Sequence, residues 1–90
     1  MLGAVTLSEA KKEGRRRRHL RFVAALEAAD VTQADLVRFF ALAGDKTNAT
    51  TVNGWFLDRS EIDADTLDYV LRLLGLPADW QPAPSTPTPQ

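Results

Sequence analysis

Helix-cap punctuation limits the fold of this chain more than any other feature. Three times a short polar residue, able to accept a hydrogen bond from an orphaned backbone N–H, stands just ahead of an apolar pattern with helical spacing. Thr32 precedes Leu36, Phe39, Phe40 and Ala43, and Gly44 follows as the residue best suited to a left-handed helix end. Asn48 precedes Val52, Trp55 and Phe56, which fall along one side of a helix. Asp63 precedes Leu67, Val70, Leu71 and Leu74 at i, i+3, i+4 and i+7, and Gly75 and Pro77 stop that stretch. Further upstream, Leu20, Val23 and Leu26, with Ala24, Ala25 and Ala28, form another apolar face that is interrupted at Asp30 and Val31. Thr6 and Glu9 have capping-box spacing, which predicts a basic helix starting at Leu7 or Ser8. Gly14 leaves open whether that helix continues past His19. No window alternates like a strand, so the expected class is all-α: a compact bundle of four to five short helices.

At 90 residues the chain has room for one domain and a simple core. The absence of cysteine removes disulfides, thiolate metal sites and thiol nucleophiles, and the one histidine, His19, cannot form a cluster. The paired acids Asp63 and Asp65 lie in a capping region with no nucleophile beside them. The expectation is therefore no enzyme, no catalytic residue, no metal and no cofactor. No stretch approaches the ~18 apolar residues of a membrane span. Met1 to Leu7 is apolar but precedes the positive charges, a poor fit to a secretory signal, so a cytoplasmic location is expected. Asn48-Ala49-Thr50 matches the glycosylation sequon and is read as chance. Pro77 to Gln90 holds all five prolines, and the chain beyond about Gln81 is expected to be a flexible tail. Three parts result: a basic N-terminal arm or helix over 1–18, a helical domain over 19–80 and a disordered tail over 81–90.

The formal net charge of −1 conceals a dipole. Residues 1–29 sum to +4, through Lys11, Lys12, Arg15, Arg16, Arg17, Arg18 and Arg21, while the remaining residues sum to −5. A run such as Arg15–Arg18 either solvates a helix face or meets a polyanion that relieves its self-repulsion.

The order of these elements, and three motifs within them, resemble the lambda-repressor/Cro-like helix-turn-helix family. Thr32-Gln33-Ala34-Asp35-Leu36 is similar to that family's T-Q-x-x-L opening of the second helix. Asn48-Ala49-Thr50-Thr51-Val52-Asn53-Gly54-Trp55 is similar to the S-x-x-T-[IV]-x-x-W run of its recognition helix. Thr66-Leu67 with Leu73-Leu74-Gly75-Leu76-Pro77 is similar to its closing helix. The resemblance spans roughly Leu20 to Trp80 and departs from the family in two places. About five residues are inserted before the recognition helix, and Val37 stands where a small alanine is usual.

The resemblance implies a sequence-specific, double-stranded-DNA-binding transcriptional regulator of bacterial or phage type, repressor-like and nucleoid-associated, with a recognition helix near 49–57 in the major groove. On a helical wheel Thr50, Asn53, Gly54 and Leu57 fall opposite Val52, Trp55 and Phe56. Asn53 and Thr50 can then read base edges, with Ala49 and Gly54 allowing close approach. Gln33 and Thr32 at a helix N-terminus, Lys46 in the turn, Asn48 and Thr51, and the arm residues Lys11, Lys12, Arg15, Arg16, Arg17 and Arg18 are the expected phosphate contacts. Trp55 is assigned to the core, Trp80 to a cap over it, and His19 to a solvated basic face. One recognition helix reads few base pairs, so a homodimer is expected, joined through the N-terminal helix, Leu57 or the Trp80 region. The acids Asp58, Glu61, Asp63, Asp65 and Asp68 must then point away from the duplex. The alternative is a helical protein–protein interaction module, an adaptor, antitoxin-like or inhibitor protein, on the same scaffold. A third reading is an RNA-binding arginine-rich arm.

Overall fold

The computed structural model describes residues 6–82, so the tail proposed for 81–90 lies almost wholly outside the described residues. Among those residues there are four helices and no strand: α1 Leu7–Ala28, α2 Gln33–Leu42, α3 Ala49–Phe56 and α4 Ala64–Leu73. None is long and apolar enough to cross a membrane.

All four helices start where the cap residues predict. Thr6, Thr32, Asn48 and Asp63 each accept a hydrogen bond from the backbone N–H three residues on, and Thr6–Glu9 and Thr32–Asp35 close complete capping boxes. All four also end alike. The second residue past each helix cap donates its N–H back to a carbonyl in the last turn: Val31 to Leu26, Asp45 to Phe40, Arg59 to Gly54 and Leu76 to Leu71, at 2.8–2.9 Å. This ending needs a left-handed residue in between. Gly44 and Gly75 fill that position for α2 and α4, whereas Asp30 (φ 54°) and Asp58 (φ 58°) fill it for α1 and α3. Aspartate tolerates the conformation better than most residues with a Cβ but still carries some strain.

The core draws on every helix: Phe22, Ala25 and Leu26 from α1, Leu36 and Phe40 from α2, Val52 from α3, and Leu67, Val70 and Leu71 from α4, closed by Ile62 from the α3–α4 loop. Trp55, Tyr69 and Trp80 pack against it half-buried. Two features of the expected stripes are corrected. Leu20 is 55 % exposed and Phe22 takes its place in the core, because the stripe of α1 that meets the bundle is displaced by one residue, roughly 100° of rotation, from the Leu20–Val23 line. Ala43 is exposed because α2 has already ended at Leu42.

The boundary drawn between residues 18 and 19 falls inside α1. Gly14 does not break the helix; a Cβ there would lie 3.2 Å from the Arg18 guanidinium. The basic segment is the N-terminal half of one 22-residue helix that continues directly into the core.

Candidate nucleic-acid interface

The arginine run divides by helical position. Arg15, Arg18, His19, Phe22, Ala25 and Leu26 fall at i, i+3, i+4, i+7, i+10 and i+11, so the apolar stripe of α1 continues upstream as a polar one. Each of its polar members is engaged by the body of the protein. Arg15 donates from Nε to the Asp58 carboxylate at 3.1 Å and from Nη2 to the Asp58 carbonyl at 3.0 Å. Arg18 donates from Nε to the Ile62 carbonyl at 2.9 Å and pairs with Glu61. His19 Nε2 lies 2.9 Å from the Phe56 carbonyl; that oxygen can only accept, so Nε2 carries the proton. Two positions beyond His19, Arg21 donates to the carbonyls of Trp80 and Ala78 and holds the segment after α4 against α1.

Arg15 and Arg18 each commit Nε and Nη2 to carbonyls and carboxylates of the chain, which ties these two members of the run to the α3–α4 loop. One expectation changes. His19 is half-buried and fixed to the end of α3 instead of solvated. The outward bases remain: Lys11, Lys12 and Arg16 are exposed and have no ion pair within 4.0 Å among the described residues, and Arg17 makes only a 3.6 Å contact with Glu13. Lys12 and Arg16, one turn apart, line a groove with Leu20, Arg15 and Asp58, so they stand beside the C-terminal end of α3.

Helix α3 has no charged residue. Ala49, Thr50 and Thr51 are exposed and Asn53 is half-buried. The Asn48 carboxamide oxygen accepts the Thr51 N–H at 2.9 Å, which leaves its NH2 group available to an acceptor. Gly54 has a structural reason of its own. A Cβ there would lie 3.0 Å from Ser60 Oγ, and the Gly54 carbonyl accepts from both Arg59 and Ser60, so the α3–α4 loop folds onto its open side. Beyond the two ends of α3 stand exposed Lys46 and Arg59, neither paired with a carboxylate within 4.0 Å among the described residues. Arg59 was missed in the sequence; its position just past the left-handed Asp58, on the turn that ends α3, is the signal that could have found it.

At the start of α2, the Thr32 hydroxyl accepts the Asp35 N–H at 3.1 Å and the Asp35 carboxylate accepts the Thr32 N–H at 3.2 Å. Donation to that carboxylate from the Thr32 N–H foremost, and then from the Thr32 hydroxyl, holds the Asp35 carboxyl below the ordinary carboxylate range, and Arg38 adds to the effect. A carboxylate therefore already sits at this helix N-terminus, while the N–H groups of Gln33 and Ala34 have no partner among the described residues. Half-buried Gln33 lines a groove with Phe56 of α3, so the start of α2 and the end of α3 adjoin.

The five acids fall into two groups. Asp58 and Glu61 follow α3 directly and are held by Arg15 and Arg18. Asp63 caps α4, Asp65 lies in its first turn, and Asp68 pairs with Arg72 at 3.1 Å. Comparisons with protein-family models, with curated proteins and with solved structures found no match.

Proposed function

We propose that this chain is a sequence-specific duplex-DNA-binding regulator of helix-turn-helix type, with α2 and α3 as the motif and α3 as the reading helix. One observation carries the reading: α3 is free of acid and flanked by the cations Lys46 and Arg59, and the two acids that follow it are neutralised by arginines of α1. Eight residues at ~1.5 Å each give a helix of ~12 Å, short enough to lie within a major groove ~12 Å wide. In this reading Asn53 pairs with an adenine edge, Thr50 offers its hydroxyl or methyl to a neighbouring base, and Ala49 allows close approach. Lys12, Arg16, Lys46 and Arg59 contact phosphates around that helix, with Asn48, Thr51 and Gln33 donating from its rim. A dimer on a two-fold site supplies the base pairs that one helix cannot read.

The test is a titration of the full chain against random and selected duplexes at several salt concentrations. Four phosphate contacts from each chain give a slope of log K against log salt of roughly −3.6 for each chain bound, about −7 for the dimer. Thr50→Ala with Asn53→Ala is expected to erase preference for the selected site while leaving binding to random duplex intact. A response that ignores salt, or no binding at low salt, sinks the proposal.

A second reading has its own observation. Leu42, at the end of α2, is 85 % exposed between exposed Ala41 and Ala43, an apolar tip suited to a protein partner. If the chain is an interaction module, Leu42→Ser abolishes partner binding and the Thr50/Asn53 double substitution changes nothing.

A further inference from the structure

The turn that lengthens the α2–α3 connection borders a cavity on the side of α4. Asp45 from this turn, Phe40 from α2, Trp55 from α3, and Asp65 and Tyr69 from α4 line an open cavity of about 310 Å³. That size is at the lower end of the ~300–1,000 Å³ range of small-ligand sites. Phe40 is 1 % exposed, with its ring centroid 6.1 Å from that of Trp55 and 5.7 Å from that of Tyr69, so it joins the two half-buried rings into one aromatic wall. The rim carries two carboxylates from two different elements and no lysine or arginine. Thr47 donates its N–H at 2.9 Å and its hydroxyl at 2.6 Å to the same oxygen of Asp45, which fixes that carboxylate at the rim. Asp45 and Asp65 are both exposed and make no ion pair within 4.0 Å among the described residues.

We propose that this cavity binds an organic ammonium group. The faces of aromatic rings carry negative charge density and attract a cation whose positive charge is spread over C–H or N–H groups. The two carboxylates supply the countercharge. A bare metal ion would use the oxygens and gain little from the rings, and a neutral ligand would gain little from the carboxylates. The proposal does not rest on the DNA-binding reading.

The test uses the full chain and amide-resolved nuclear magnetic resonance, with choline chloride titrated against sodium chloride at matched ionic strength. Saturable shifts are expected at the Trp55 indole N–H and at the amides of Asp45, Thr47, Thr66 and Tyr69. The neutral isostere 3,3-dimethylbutan-1-ol should produce none. Asp45→Asn with Asp65→Asn should weaken choline binding about tenfold, and both substitutions lie at exposed positions where circular dichroism verifies the fold. Asp65→Asn alone, which leaves the turn untouched, should show part of that loss. Equal shifts from the neutral isostere or from sodium, or unchanged choline affinity in the double variant, would overturn the proposal. Nα-acetyl-lysine methylamide separates the two sources of the same group: tighter binding than choline assigns a lysine side chain of a partner, weaker binding a free quaternary ammonium ion, and either supports the site.

Discussion

The two faces of α1 carry the same residue type and have different surroundings. On the inner face Arg15, Arg18 and Arg21 spend their donors on carbonyls and carboxylates of the α3–α4 loop and of the segment after α4. On the outer face Lys12 and Arg16 meet solvent. The division follows from 3.6 residues per turn, which cannot place four consecutive side chains on one surface. A charge run in a helix is thus two populations: the residues in phase with the core stripe become structural, and those out of phase stay available to a partner.

The most direct way to break this comparison is to truncate one residue from each face. Arg18→Ala removes the donor to the Ile62 carbonyl and leaves Glu61 without its partner. The Arg18 side chain is 24 % exposed, so the loss should reach about 1–3 kcal/mol and lower Tm by roughly 5–20 °C. Arg16→Ala should stay within about 0.5 kcal/mol of the parent. Binding reverses the order: Lys12→Ala with Arg16→Ala should reduce the salt slope on duplex DNA by about 1.8 for each chain bound without moving Tm. Equal thermal losses from Arg16→Ala and Arg18→Ala would mean that the inner contacts contribute no more than a solvated face does.

A smaller effect sharpens the same division at Asp58. Asp30 and Asp58 hold the same left-handed position after their helices, and only Asp58 has an arginine on its carboxylate. Asp30→Gly relieves the conformational strain and should stabilise by about 0.5–1 kcal/mol. Asp58→Gly gains the same relief and loses the Arg15 side-chain pair, both partners of which are about two-fifths exposed, so the pair contributes only about 0.2–1 kcal/mol. The bond from Arg15 to the Asp58 carbonyl survives the substitution. Asp30→Gly should therefore exceed Asp58→Gly in thermal or urea denaturation, and equal gains would show that the Arg15–Asp58 pair adds nothing.

Capping chemistry was legible because it is local: Thr6, Thr32, Asn48 and Asp63 need only the backbone three residues on, and all four open helices. The stripe of α4 was legible for a similar reason, since a strong period of 3.6 admits one buried face. On α1 the alanines and arginines dilute the period, and Leu20 drew the expected core face away from Phe22. Arg15 and Arg18 could be found only by extending the Phe22–Ala25–Leu26 stripe backwards, because their partners lie 43–44 residues away in sequence. In the candidate site, the exposure of Thr50 follows from the wheel. The seat of Ser60 over Gly54 does not, since it depends on where the loop after α3 returns. The aromatic cavity joins three helices and a turn, and no single window contains it.

Acid sets the smallest effect and tests whether Arg18 acts mainly as a donor or as a charge. Hydrogen bonds from the Thr66 hydroxyl and N–H hold the Asp63 carboxyl below the ordinary carboxylate range, and the positive charge of Arg18 adds a lesser pull in the same direction. A carboxyl depressed in the folded state contributes stability that is fully present above its unfolded value of about 4 and is lost as pH falls through the lower folded value. Glu9, Asp35 and Asp45 are depressed by their own threonine donors and act with the same sign. Tm should therefore be flat from pH 7 down to about 4.5 and fall below that. The carboxamide introduced by Asp63→Asn still accepts the Thr66 N–H but takes up no proton, so this substitution should flatten the acid limb. Because Thr66 outweighs Arg18 in this shift, Arg18→Ala should lower Tm at every pH and barely change the slope of that limb. A limb as shallow in Arg18→Ala as in Asp63→Asn would instead make the inner arginine chiefly an electrostatic partner of the α4 cap.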